Sequence, residues 1–248
     1  MKKYIIANLK MNFTQEECKQ YLAELLPLVA NSQNKIGISF PFTDLPLAKD
    51  MLFDTKIKVG AQNVHQAENG AYTGEISAKM LKELECDFVL VGHSERRQYF
   101  NETNKQINQK IKLLLKYGIK PVLCIGETKS ERDNKKTNTI LKAQLEGCLA
   151  GLYENEIKSI IVAYEPVWAI GTGVTPTTKQ VDEVCKFVRE IITQNFSEKA
   201  GKNLCILYGG SLKGENAKQF LSLSNINGGL VGSASLQAES FAKLVNFK

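Results

Sequence analysis

The chain has 248 residues, 43% of them hydrophobic and 23% charged, and carries a formal net charge of +6 at pH 7. Such a chain is an ordinary globular one, long enough to bury its core without disulfide or metal staples, and the fibrous, disordered and mini-scaffold classes are excluded. No run approaches the ~18 apolar residues of a membrane span, and the start offers only Tyr4 to Ala7 as an apolar stretch, so a cytoplasmic protein with no membrane partner is expected. The six cysteines are scattered singly in apolar stretches with no C-x-x-C, which reads as buried, reduced thiols. Only two histidines are present and no H-E-x-x-H, so no metal is expected. The positive charge is dispersed rather than bunched, against a nucleic-acid partner and in favour of a small anionic substrate.

In chain order, short β-branched runs predict strands at Tyr4 to Asn8, Lys35 to Phe40, Lys56 to Gln62 and Phe88 to Gly92. Four more follow at Ile119 to Ile125, Ser159 to Tyr164, Leu204 to Tyr208 and Gly229 to Gly232. The stretches between have helical period: Cys18, Tyr21, Leu22, Leu25 and Val29 share one face, as do Val181, Val184, Cys185, Val188, Ile191 and Ile192. Near-continuously apolar strands separated by helices form a parallel sheet covered by those helices. Eight such units in one domain, 1–248, predict a closed (β/α)8 TIM barrel, with an open doubly wound sheet as the structural rival.

In either architecture ligands meet the carboxyl ends of the strands. Asn8 and Lys10 follow the first strand and, by alternation, point to the same side. His93, Ser94 and Glu95 follow the fourth strand, and Glu165 to Trp168 follow the sixth. Lysine, histidine and glutamate make an electrophile, acid and base, and each alone has an ordinary structural explanation. Three at one end of separate strands make a joint case for catalysis. Glycine-rich loops lie at the same end: Gly171-Thr172-Gly173, Gly209-Gly210-Ser211 and Gly228 to Ser233. Such loops bring backbone N–H groups close to an oxyanion, and the last two strands are where barrels often bind phosphate. No Walker A, G-x-G-x-x-G or G-x-S-x-G is present, so kinase, dehydrogenase and α/β-hydrolase readings lose their main signatures.

Six motifs in order resemble the triosephosphate isomerase family: Asn8 to Asn12, Val91 to Arg97, Cys124 to Glu127, Ala163 to Gly173, Tyr208 to Ser211 and Leu230 to Ser235. The resemblance implies interconversion of dihydroxyacetone phosphate and D-glyceraldehyde 3-phosphate through an enediolate, in glycolysis and gluconeogenesis, with no cofactor. It implies Glu165 as the base, His93 as a neutral electrophile whose pKa is held low by a helix amino terminus that Ser94 caps, and Lys10 beside the oxyanion with Asn8 holding it. Glu95 is expected to pair with Lys10. Backbone amides at Gly171, Ser211, Gly232 and Ser233 are expected to grip phosphate. The stretch Pro166, Val167, Trp168, Ala169, Ile170, Gly171, Thr172, Gly173, Val174, Thr175 and Pro176 reads as a lid. The irregular stretch from Asn63 to Ile76 carries Tyr72 and Thr73, which the resemblance places in a homodimer contact near the partner's active site. Without the resemblance it is a solvated loop, and His65 within it has no assigned role.

The chain departs from the family pattern in four places. Leu9 replaces the usual Trp, and Ser233 stands where a second Gly is usual, which keeps a backbone donor only if its φ is negative. Cys205 and Asn227 stand where an Arg and an Asp are common, so an ion pair is expected to be lost from both ends. Val174 and Pro176 alter the far hinge of the lid, and Pro176 is expected at the first position of the next helix. The alternatives are another metal-free sugar-phosphate barrel enzyme and a non-catalytic phosphate-binding scaffold barrel.

Overall fold

A computed structural model describes residues 2–247. Eight parallel strands close into a barrel in sequence order: β1 (Tyr4–Asn8), β2 (Lys35–Phe40), β3 (Lys58–Ala61), β4 (Phe88–Val91), β5 (Lys120–Ile125), β6 (Ile161–Tyr164), β7 (Cys205–Tyr208) and β8 (Gly228–Val231). Ile5 of β1 pairs with Ile36 of β2 on one side and Gly229 of β8 on the other, which closes the ring and rules out the open-sheet rival. Closure also leaves no exposed sheet edge.

Two cores result from strand alternation. Ile6, Phe88, Leu90, Val122, Cys124, Ile161, Ala163, Leu207 and Leu230 fill the barrel, while Ile5, Ala7, Ile36, Ile38 and their counterparts face the helices. Both faces are dry, which explains why these strands read as continuous apolar runs. Gly37 and Gly60 make room for Phe88: a Cβ at either position would lie 2.9 or 2.4 Å from its ring. Three of the longer helices start on reciprocal caps. In Gln15–Val29, Thr14 accepts from the Glu17 amide and Glu17 accepts from the Thr14 amide, and the Thr103/Gln106 and Thr177/Gln180 pairs repeat the device for Asn104–Lys116 and Thr178–Asn195.

Several strand limits differ from the periodicity, each for a local reason. The Ile57 amide donates to Thr55 Oγ1, a turn that delays β3 to Lys58. Gly92 adopts φ +68° and ends β4 one residue early. Ser159 and Ile160 still donate to Glu156 and Ile157, so β6 starts at Ile161. β8 runs one residue earlier than expected, because Gly228 already pairs with Tyr4.

The expected loss of an ion pair from both ends is corrected. Arg189, not residue 205, faces Asn227: its Nη2 donates to Asn227 Oδ1 at 2.8 Å. The cation therefore remains and only the carboxylate is missing. Carbonyl oxygens of Gly201, Leu204 and Asn225 accept from its Nη1 and Nη2 groups at 2.8–3.0 Å, so the half-buried charge is met by dipoles.

The β8–β1 seam is a close backbone approach in the barrel wall. A Cβ on Gly228 would lie 1.8 Å from the Tyr4 carbonyl oxygen, and that oxygen cannot rotate away as a side chain could. Gly228→Ala is expected to destabilise the fold by at least the ~1–3 kcal/mol typical of overpacking. A lowered urea midpoint with an unchanged slope would report it, whereas an unchanged midpoint would mean the seam gives way freely.

Candidate active site

At the carboxyl end of the barrel the strands release their chains into a cavity of about 260 Å³. Asn8, Lys10, His93, Glu165, Gly171, Ser211, Gly232 and Ser233 all line it, so every expected catalytic and phosphate-gripping residue is brought to one place. Tyr72 and Thr73 lie elsewhere, exposed on the loop after β3.

Lys10 sits two residues beyond β1 in the left-handed region, φ +55°, a costly conformation for a residue with a Cβ. Its surroundings hold it there. The Lys10 amide donates to Asn8 Oδ1 at 3.0 Å, and its carbonyl accepts from Gln62 Nε2 at 2.8 Å. Leu9 beneath it is fully buried, and Asn12 donates to the Leu9 carbonyl. The ammonium reaches Glu95 Oε1 at 2.6 Å, the pairing expected from the sequence. Gln62, the clamp on the backbone, was not singled out in the sequence, since a glutamine at a strand end carries no signal of its own.

His93 itself caps the short helix Ser94–Tyr99, with Nδ1 accepting from the Glu95 amide at 3.3 Å. The expectation that Ser94 is the cap is thus off by one residue. Because Nδ1 accepts, a neutral ring carries its proton on Nε2. That nitrogen lies 2.9 Å from Glu165 Oε1, while Glu165 Oε2 accepts from the Ser94 amide at 3.0 Å. Glu165 is 2% exposed. Burial pushes its pKa up, but His93, the Ser94 amide and Lys10 outweigh burial and hold it below the usual carboxylate range. Burial pulls the His93 pKa down, yet the charge and hydrogen bond of the docked Glu165 carboxylate, with a further contribution from Glu95, outweigh it and the net direction is up. The pKa held low that the resemblance implied is therefore not the state of this arrangement, where a carboxylate sits on Nε2.

Glu165 is placed by its backbone as much as by its side chain. Its amide donates to the Ile125 carbonyl at 2.8 Å, and Gly126 lies so close that a Cβ there would be 1.7 Å from the Glu165 carbonyl oxygen. The lid begins at once after it. Val167–Ala169 form a single 3-10 turn, Gly171 and Gly173 adopt φ +70° and +77°, and residues 171–175 are exposed. Nothing lies within 4 Å of a Cβ built on either glycine, so the lid tip stands off the barrel. Its base is anchored by Glu127, fully buried, whose Oε1 accepts from Trp168 Nε1 at 2.9 Å, Tyr164 Oη at 3.2 Å and Arg132 at 3.0 Å. The Arg132 guanidinium also lies 4.3 Å above the Trp168 ring. At the far end Thr177 is the helix cap, so Pro176 precedes the helix rather than opening it, and it is buried beside the exposed Val174 and Thr175.

The glycine-rich loops line the same cavity. The Gly209 amide donates to the Tyr164 carbonyl at 2.8 Å, tying the β7 loop to the end of β6. Gly232 packs over Lys10, where a Cβ would be 3.2 Å from Lys10 Cε. Ser233 opens a 3-10 turn and does not adopt positive φ, the condition under which its backbone donor survives the loss of glycine. Among the described residues no group of three or more His, Cys, Asp or Glu could hold a metal ion.

Fold and cavity together define a (β/α)8 barrel with an acid–base constellation set against a glycine-lined anion cradle. The sequence pattern of the triosephosphate isomerase family matches residues 3–248. Similar full-length relatives include the triosephosphate isomerases of Alkaliphilus metalliredigens, 45% identical with all of both chains covered, and of Picosynechococcus sp., also 45% identical over all of both. That of Acetivibrio thermocellus is 41% identical over all of this chain and 99% of its own. The chain belongs to the triosephosphate isomerase family.

The coupling between Glu165 and His93 is open to direct measurement. Glu165→Gln removes the charge that raises the imidazole pKa and leaves burial, so the His93 pKa is expected to fall relative to the parent in an NMR titration. The stability linked to the raised value is complete below the ordinary 6.5 and lost as pH rises through the folded value. An unchanged His93 titration would contradict the pairing.

Proposed function

We propose that Glu165, His93, Lys10 and Asn8 carry the reaction to which family membership commits this chain, the interconversion of dihydroxyacetone phosphate and D-glyceraldehyde 3-phosphate in glycolysis and gluconeogenesis. The observation that carries the reading is the buried Glu165 carboxylate set against His93 Nε2 within one cavity that also holds the amide cradle. Glu165 removes a proton from C1 of dihydroxyacetone phosphate, the electron pair moves to form the enediolate, and His93 gives its Nε2 proton to the C2 oxygen. Glu165 then returns its proton to C2 while the C1 hydroxyl gives its proton back to His93 Nε2, which forms the aldehyde and restores the neutral imidazole. Turning toward the substrate takes the carboxylate off Nε2, removing the charge that raised the imidazole pKa, so burial then favours the neutral electrophile.

Lys10 meets the developing oxyanion and Asn8 fixes the backbone that presents it. Backbone amides at Gly171, Ser211, Gly232 and Ser233 hold the phosphate. The lid from Pro166 to Pro176 hinges beside the Glu127 anchor and closes over the substrate, excluding water from the enediolate. No metal or organic cofactor is required, because charge development is met by Lys10 and His93.

The same reading includes a homodimer. A second hollow of about 300 Å³ lies on the other side of Lys10, walled by Phe40, Phe42 and Phe100, and Met11 beside it is 96% exposed. A loop from a second copy fits there, and the loop bearing Tyr72 and Thr73 is the segment we assign to it. His65 braces that loop from within: its ring lies 4.2 Å from that of Tyr72 and its Nδ1 accepts from the Ala67 amide. All six cysteines are free, which fits a reducing cytoplasmic location. No helix among the described residues is long and apolar enough to cross a membrane.

Two variants test these proposals. Glu165→Gln should lower turnover by at least the ~10²–10⁴ of positioned general-base catalysis while retaining phosphate affinity and the fold. Turnover within about tenfold of the parent would remove Glu165 from the role of base. Thr73→Asp should produce monomers with impaired turnover, measured by light scattering and steady-state kinetics, since an unpaired carboxylate in a closed interface opposes association. A dimeric, fully active variant would remove the loop exchange.

A further inference from the structure

The phosphate end of the cavity carries one cation that neither the amide cradle nor the reaction accounts for. Lys213 lines the cavity together with Ser211, Gly232 and Ser233, and is the second lysine in its wall. The first, Lys10, is paired with Glu95, 2.6 Å away, and its stem runs beside Gly232 between the two ends of the cavity. Among the described residues Lys213 has no carboxylate within ion-pair distance. Its backbone is fixed nonetheless. Asn216 Oδ1 accepts from the Lys213 amide at 2.8 Å, and Asn216 Nδ2 donates to the Ser211 carbonyl at 2.9 Å. One side-chain amide thus clips the turn that carries both the expected phosphate donor Ser211 and the lysine, while the lysine side chain stays exposed. A phosphate monoester carries close to two negative charges at neutral pH, and backbone N–H groups answer with dipoles alone.

We infer that Lys213 is a phosphate-recognition residue of this site, and that Asn216 is a positioning residue that holds it on the cavity lip. The inference rests on reading the Gly171, Ser211, Gly232 and Ser233 end of the cavity as the phosphate end. An ammonium on a flexible stem acts as a point charge that draws the dianion toward the cradle and stays with it once bound. Being exposed, it is screened by salt, which gives the role a signature that a packing residue lacks. It also sets selectivity, favouring dianionic triose phosphates over the uncharged triose.

The test compares the purified parent with Lys213→Gln, Lys213→Arg and Asn216→Ala, by calorimetric titration with inorganic phosphate and by steady-state kinetics on triose phosphate at low and at physiological salt. Lys213→Gln is expected to weaken phosphate binding and raise KM about three- to tenfold, with a smaller change in kcat and a flatter salt dependence of kcat/KM. Lys213→Arg should restore most of both. Asn216→Ala should weaken phosphate binding while keeping the salt dependence, because the charge remains. Phosphate affinity and salt dependence in Lys213→Gln equal to those of the parent would overturn the inference. Phosphate binding is read without turnover, so an inactive parent that binds phosphate through Lys213 counts against the isomerase reading alone. Normal turnover with unchanged phosphate affinity counts against Lys213 alone, and no phosphate binding by the parent overturns both.

Discussion

The site turns on one carboxylate kept charged although it is almost wholly buried. Desolvation alone would drive Glu165 toward its neutral acid, which has no use as a base. His93 Nε2 at 2.9 Å and the Ser94 amide at 3.0 Å reverse that preference. Both partners come from the turn after β4, two strands away from β6, so the pairing depends on the register of β4, β5 and β6. The tight backbone approach of Gly126 to Glu165 and the ties from Ile125 and Tyr164 to their neighbouring strands serve that placement.

The segment proposed as a lid starts directly after Glu165, with Pro166 and the 3-10 turn, so the proposed base and the proposed lid share one stretch of backbone. Glu127 holds Trp168 through a carboxylate oxygen that also serves Tyr164 and Arg132. Its other oxygen has no partner and is buried. At the far end of the proposed lid Pro176 is buried and the reciprocal cap of Thr177 and Gln180 follows it, so the exposed residues 171–175 are bounded by anchored structure on both sides.

Much of this was legible in the sequence, and the rest was not for identifiable reasons. β1 and β2 have the limits that alternation predicts, because nothing at their ends competes with pairing. β4 ends early since Gly92 turns left-handed, and β6 starts late since Ser159 still completes a helical turn; neither backbone choice alters hydrophobic period. Asn8, Lys10, His93 and Glu165 were readable because strand ends are where barrels place chemistry. Gln62, Glu127 and Asn216 act by holding backbone or lid, and such partners become visible only when the chain is folded. Pairing residue 205 with 227 failed because two substitutions looked compensatory, whereas the cation concerned sits on the helix at Arg189.

The central claim is that a single carboxylate carries the proton between adjacent carbons without help from a metal. The most direct measurement is isomerisation of dihydroxyacetone phosphate by purified, chelator-treated protein in deuterium oxide, with the product analysed by NMR. A proton held on Glu165 exchanges with solvent before its return, so the account predicts sustained turnover and solvent deuterium at C2 in a share of the product. Turnover that the chelator abolishes, or product that never carries solvent deuterium at C2, would contradict it.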